Sequence, residues 1–433
     1  MRTLGAFFRD ALDNVTAGSL RYHLWMGFLT FLMLLGTYAY LVQLREGLIV
    51  TGMYDYVSWG LYISNFTFLV GIAAAALMLV LPTYVFRDTD FVRAVLFGEG
   101  MAVAALVMCL AFVIVDMGGP ARLWHMLPVV GIFNWPRSML TWDVLVLNGY
   151  LFINLTIPFY ILYNHYQGRT PNPKVYLPGV LISLVWAISV HLVTAFLYAG
   201  LPARPFWNSA LLGPRFLASA FTAGPALMII ILTVIRRTTP YTITDGTIHK
   251  LGLVVTGAAQ VNLVMLFSEM FKEFYWPTAH SRSAIYLFFG LDGHSALVPW
   301  MWVSLIMVTA ATVVLTVPAL RQRKPVLLTA SALLFVGIWI EKGMGLIVPG
   351  FVPEPWGRIF AEYSPTWVEW TVTLGIWALG AWVFTVLTKV AVGVEVRYQQ
   401  LRGVQATDQE TPLGEAKPQS GSRGRQSRLP LLP

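Results

Sequence analysis

Ten stretches of roughly twenty mostly apolar residues run through this chain, and that repetition constrains the fold more than any other feature. A bilayer core about 30 Å thick is crossed by about 20 residues of helix. Runs of that kind lie at about 22 to 43, 57 to 81, 94 to 115, 141 to 163, 177 to 199, 216 to 235, 251 to 270, 297 to 318, 326 to 347 and 368 to 391. They occupy most of the 433 residues, of which 57% are hydrophobic and only 12% charged. Soluble domains carry about twice that share of charge. A membrane β-barrel would instead show alternating strands of about ten residues, whereas these runs are continuous and rich in Leu, Ala, Val and Ile. The expected class is an all-α integral membrane protein with ten transmembrane helices.

The segment from Met1 to Arg21 is polar and amphipathic, so no cleavable signal peptide is expected there. Lys and Arg are unevenly placed, with about thirteen on the even-numbered side of the connections, the tail aside, against about eight on the other. By the positive-inside rule both termini are expected in the cytoplasm of a cell whose inner membrane holds the chain. The expected domains are a cytoplasmic segment 1–21, a membrane domain 22–397, and a disordered cytoplasmic tail 398–433, where aromatic residues give way to Gln, Ser, Gly and Pro.

The connections also differ in kind. Those on the basic side are short, such as RQRK at Arg321 to Lys324, while the others are long and rich in Trp, Pro and Gly, such as MGGPARLWHMLPVVGIFNWPRSML. A hairpin needs only a fraction of that length. The excess reads either as an interfacial aromatic belt or as a structured platform for a partner.

Ionisable groups inside a membrane cost about 2.5 to 3.5 kcal/mol each on insertion scales, so they tend to face a cavity or a partner. Asp143 opens the fourth run, His191 lies within the fifth, Glu269 closes the seventh, and Glu341 with Lys342 lies late in the ninth. Tyr62 and Asn65 stand one helical turn apart in the second. All of these gather toward the side with the long connections. Glu341 and Lys342 are neighbours, so their side chains diverge by about 100° and each needs a separate partner. Structural ion pairing, snorkelling and proton transfer all remain open for them. Glu99, toward the other side, suits either proton uptake or pairing with Arg87 or Arg93.

The chemistry excluded is broad. One cysteine, Cys109, and one well-embedded histidine, His191, cannot supply an iron-sulfur cluster or a facing pair of haem ligands. Dinucleotide, phosphate-loop, zinc and hydrolase motifs do not occur. Any redox role therefore needs electrons from a partner and a lipid-soluble carrier.

The segments WGLYISNFTFLVGIAAAA, DMGGPARLWHM, FNWPRSMLTWD and PFWNSALLGPRFLASAFTAG resemble the NrfD/polysulfide-reductase family of quinone-interacting membrane subunits. IEKGMGLIVPGFVPEPWG and EYSPTWVEW are similar to its ten-helix branch, and within it to the membrane subunits of DsrMKJOP complexes of dissimilatory sulfur metabolism. The resemblance implies two four-helix bundles, runs 2 to 5 and 6 to 9, flanked by runs 1 and 10. It also implies exchangeable menaquinone or ubiquinone, and no haem or cluster of the chain's own. The partners it implies are an extracytoplasmic ferredoxin-like iron-sulfur subunit of the DsrO type, together with DsrM, DsrK and a DsrJ-type protein carrying cytochrome c haem.

Quinol oxidation releases two protons and two electrons, so a site needs a proton acceptor, donors near the ring oxygens and an aromatic slot. On that basis His125 and Asp143 are expected as proton partners, Trp142 and Tyr62 as ring walls, Arg122 or Arg215 as electrostatic support, and His191 as a further contact. Asp143 equally suits a carboxylate placed at a helix N-terminus. Glu99, Glu269, Glu341 and Lys342 would mark the ends of a proton route. A secondary transporter and a redox-inert anchor are the competing functions.

Overall fold

A computed structural model describes residues 3–86, 88, 90–127, 129–276, 278, 280–352 and 362–410. Ten helices in it are long and apolar enough to cross a membrane. They are span 1 (Leu20–Glu46), span 2 (Leu61–Tyr84), span 3 (Val95–Asp116), span 4 (Met139–Tyr166), span 5 (Pro173–Ala199), span 6 (Leu212–Thr238), span 7 (Asp245–Tyr275), span 8 (Val298–Thr316), span 9 (Lys324–Phe351) and span 10 (Trp367–Leu401). All ten expected runs thus form helices, and the only extended pairings among the described residues are isolated bridges at Tyr54–Val57 and Leu291–His294.

Local chemistry sets the helix ends. Ser19, Asn172 and Thr244 accept hydrogen bonds from the first-turn amides of spans 1, 5 and 7, which satisfies donors the helix itself leaves unpaired. Span 1 stops at Gly47, whose φ of 83° needs a residue without a side chain. Two spans are interrupted. Span 2 breaks at Ala75 and Ala76, and span 9 breaks at Gly343, directly after Lys342.

Neighbouring spans explain where the polar residues meet. Spans 2 and 3, 3 and 4, 4 and 5, and 2 and 5 pack together, as do 6 and 7, 7 and 8, 8 and 9, and 6 and 9. Spans 2 and 5 meet span 6, while span 1 lies along span 10, which rests on spans 3 and 4. Small residues allow the closest crossings, as is usual between helices in lipid. A methyl carbon added at Gly224 of span 6 would lie 1.9 Å from the Ala75 side chain of span 2. One added at Gly36 of span 1 would lie 2.7 Å from the backbone of Gly375 in span 10.

An additional helix, Leu4–Thr16, precedes span 1 and packs against the end of span 10. Ten crossings return the chain to its starting side, so both ends lie at one face, called here the terminal face. Span 10 continues as helix to Glu410, past the composition change at residue 398. The rest of the expected tail, 411–433, lies outside the described residues.

Candidate functional site

Two buried polar groups lie in the half of the molecule away from the termini, one carried by spans 6, 7 and 9 and the other by spans 4 and 5. The first is ionic. Arg215 sits one turn into span 6, with Nη1 on Glu269 of span 7 and Nη2 2.7 Å from Glu341 Oε1 of span 9. Asn262 Nδ2 donates to the other Glu341 oxygen at 3.4 Å. Glu341 and its neighbour Lys342 do meet separate partners. Lys342 Nζ donates to the Phe216 carbonyl at 3.3 Å, stands 4.2 Å from that residue's ring centroid, and lies against Gly71 of span 2.

Two cations and two carboxylates make this cluster formally neutral, which is how buried charge is tolerated at all. A small cavity lies among Arg215, Ser219, Glu341 and Lys342, with space for about one water. An ammonium has three donors, and a water there would engage a second one.

The second group is less charged. Asp143 lies one turn into span 4 and is buried, and its Oδ1 accepts a 2.8 Å bond from Thr194 of span 5. His191 stands one turn before Thr194 on the same face of the helix. Its Nδ1 approaches the Ala187 carbonyl at 3.4 Å, while its fully buried Nε2 has no hydrogen-bond partner among the described residues. Buried polar atoms are seldom left unpaired, which sets this nitrogen apart from most polar atoms in the interior. A carboxylate and an imidazole so placed can accept or deliver protons.

The remaining expected residues are spread around these groups. Arg122 and His125 lie on the exposed turn Pro120–Met126, where His125 stands edge-on to Trp124 at 4.0 Å between centroids. Trp142 is half-buried, stacks obliquely near Trp135 at 5.2 Å and donates its indole N–H to the Pro136 carbonyl. Tyr62 is fully buried, and its hydroxyl donates to Gln43 of span 1 at 2.7 Å. Glu99 lies toward the terminal face, buried, with Oε2 unpartnered. It forms no ion pair with Arg93, whose guanidinium donates to Thr242 instead, and Arg87 lies outside the described residues.

Several residues that matter to this architecture were not singled out from the sequence. Glu369 opens span 10 fully buried and accepts from Gly52 N at 2.7 Å, from Thr366 N at 3.0 Å and from the Tyr363 hydroxyl. Burial and the Glu369 charge push Tyr363 well above the ordinary phenol range, so it stays a donor. The same hydroxyl accepts from Leu61 N at 2.7 Å, which ties the start of span 2 to that of span 10. Asn65, noted only for its position, accepts two indole N–H bonds through one oxygen, from Trp339 at 3.0 Å and Trp377 at 2.9 Å. Its Nδ2 donates to the Leu61 carbonyl. Their only sequence signal was polarity at apolar depth; Gly52, Trp339 and Trp377, the partners that tie spans together, lie hundreds of residues away.

Comparison with known proteins accounts for this plan. The family model for polysulphide reductase, NrfD, matches residues 49–352, from just before span 2 to the end of span 9. A selenate reductase subunit of Mesobacillus selenatarsenatis is 22% identical over 412 residues, covering 85% of this chain and 93% of that protein. An Hdr-like menaquinol oxidoreductase integral membrane subunit of Archaeoglobus fulgidus is 24% identical, with coverage of 87% and 95%. The menaquinone reductase integral membrane subunit of Nitratidesulfovibrio vulgaris is 23% identical, with coverage of 84% and 90%. Since the family model spans more than half of the residues, this multi-pass membrane protein belongs to the NrfD polysulphide reductase family.

Proposed function

We propose that the chain is the quinone-interacting membrane subunit of a multisubunit oxidoreductase, exchanging electrons between menaquinone or ubiquinone and an iron-sulfur partner on the face away from the termini. The observation that carries this is the buried Asp143–Thr194 pair one turn from the unpartnered His191 Nε2. A quinol bound there supplies two electrons and two protons. Asp143, its carboxylate oriented by Thr194, accepts one proton, His191 Nε2 accepts the other from the second ring hydroxyl, and the two electrons pass to the iron-sulfur partner. Arg122, His125, Trp135 and Trp142 lie on or just below the exposed connection, where a redox partner and a ring can approach. Two of the relatives are named for menaquinol or menaquinone chemistry, which supports the same reading.

The finer assignment is a DsrP-like membrane protein of dissimilatory sulfur metabolism, with DsrO-, DsrM-, DsrK- and DsrJ-like partners in a cytoplasmic membrane and both termini in the cytoplasm. It rests on the motif resemblance and the distribution of basic residues. Glu99 on one side and Glu269, Glu341 and Lys342 on the other suit the ends of a coupled proton route. A secondary transporter is favoured by one observation, the breaks in spans 2 and 9, because transporters bind substrate at interrupted helices.

Photoaffinity labelling with a quinone analogue, combined with Asp143→Asn, tests the proposal. Labelled peptides are expected between residues 122 and 143 or around His191. The variant should lose about 10²-fold or more of quinol oxidation by the assembled complex, the range of a general base. Labelling elsewhere with wild-type turnover in the variant would refute it, and solute uptake into liposomes without a redox partner would favour the transporter.

A further inference from the structure

The helix Leu4–Thr16 runs along the end of span 10 and is pinned to it at three levels. Lys389 Nζ donates to the Ala17 carbonyl at 2.6 Å, Asn14 packs where a Gly393 side chain would stand, and Arg397 Nη1 reaches Asp10 Oδ2 at 3.4 Å. Tyr166 of span 4 also donates to Asp10 at 2.8 Å. Between the two helices lies an open groove of about 240 Å³, lined by Phe7, Asp10, Asp13, Asn14, Tyr166 and Arg397 among others.

Depth and chemistry identify what such a groove meets. Arg397 lies roughly 45 Å along the helix from Trp367, and a bilayer with its headgroups is about 40–45 Å thick. The groove is therefore at headgroup level on the terminal face. Leu4, Phe8 and Leu12, spaced by four, form an exposed apolar stripe on the short helix. Phe8 stacks on Phe159, an exposed ring on the outside of span 4, with planes 19° apart. An amphipathic helix so placed lies in the interface with its stripe toward acyl chains. The groove beside it carries both signs of charge. Arg397 offers a guanidinium, Asp10 is shared with Arg397 and Tyr166, and Asp13 has no ion-pair partner among the described residues.

We propose that this groove binds the headgroup of an amine-bearing phospholipid of the ethanolamine type. The ammonium sits between Asp10 and Asp13, the phosphate lies at Arg397, and the acyl chains cover Phe8 and Phe159. Three N–H donors on a primary ammonium match acceptor-only carboxylates, which a methylated choline cannot do and a glycerol headgroup, lacking a cation, cannot do either. This site is independent of quinone chemistry.

Native mass spectrometry of the full-length protein, given equal amounts of ethanolamine, choline and glycerol phospholipids with identical chains, tests the proposal. The ethanolamine lipid should be retained about fivefold over the others, the ratio that one modest charge-assisted contact provides. Asp13→Asn, at an exposed position that leaves the helix contacts intact, should abolish that preference without changing the thermal unfolding of the protein. Equal retention of the three lipids, or an unaltered preference in D13N, overturns the proposal. So does a preference that emerges only after removal of residues 411–433, because the groove would then belong to the basic tail.

Discussion

Single side chains in this protein act mostly through what would be left behind without them. Arg215 is the clearest case, because one guanidinium serves both Glu269 and Glu341. Arg215→Met strands two buried carboxylates and should destabilise the protein by about 3–5 kcal/mol, seen as a lower unfolding temperature in detergent. The triple variant Arg215→Met, Glu269→Gln, Glu341→Gln should recover most of that loss, since the penalty lies in uncompensated charge. Asn65 follows the same logic with neutral groups. Asn65→Leu leaves the Trp339 and Trp377 indole N–H groups without their acceptor, at about 1–3 kcal/mol each, and increased exposure of those indoles should shift tryptophan emission to the red.

At the scale of helices, crossings depend on missing atoms more than on attractive contacts. Gly224 lets span 6 approach the break in span 2 so closely that any side chain collides with Ala75. Gly224→Val should therefore push the spans apart, costing at least about 1–3 kcal/mol from overpacking. Gly257→Val, where a side chain meets open space, should leave stability unchanged, as thermal unfolding of the two variants in detergent will show. Gly350 works similarly against Trp207, whose buried indole N–H donates to the Leu346 carbonyl at 2.8 Å.

For the whole molecule, an even number of crossings places both ends at one face and the long aromatic connections at the other. Cysteines introduced at Asp13 and Val129, with the buried Cys109 replaced by Ala, should react with a membrane-impermeant maleimide from opposite sides of sealed vesicles. Labelling of both from one side would mean that one span fails to cross. Much of this plan was legible beforehand. The ten runs agree with the ten helices to within a few residues at most ends, because hydrophobic length is a local property that each segment carries by itself. The placement of Asp143, Glu269, Glu341 and Lys342 within those helices was legible for the same reason.

What the chain's order of residues could not disclose is which polar groups share an environment. Nothing near Glu369 in sequence announces Gly52 as its donor, and nothing near Asp143 announces Thr194, because those pairs exist only after spans distant in the chain have packed. Nor does polarity alone separate Tyr62, closed off against Gln43, from His191, whose Nε2 is left without a partner. The sequence by itself determined that this is a ten-helix membrane protein with ionisable groups held at chosen depths, since the cost of placing residues in lipid is paid segment by segment. The tertiary structure alone decided that one guanidinium serves both Glu269 and Glu341, that Lys342 turns to a backbone carbonyl, and that His191 Nε2 stands without a partner among the described residues, because hydrogen bonds need their partners within about 3 Å and only packing brings them there.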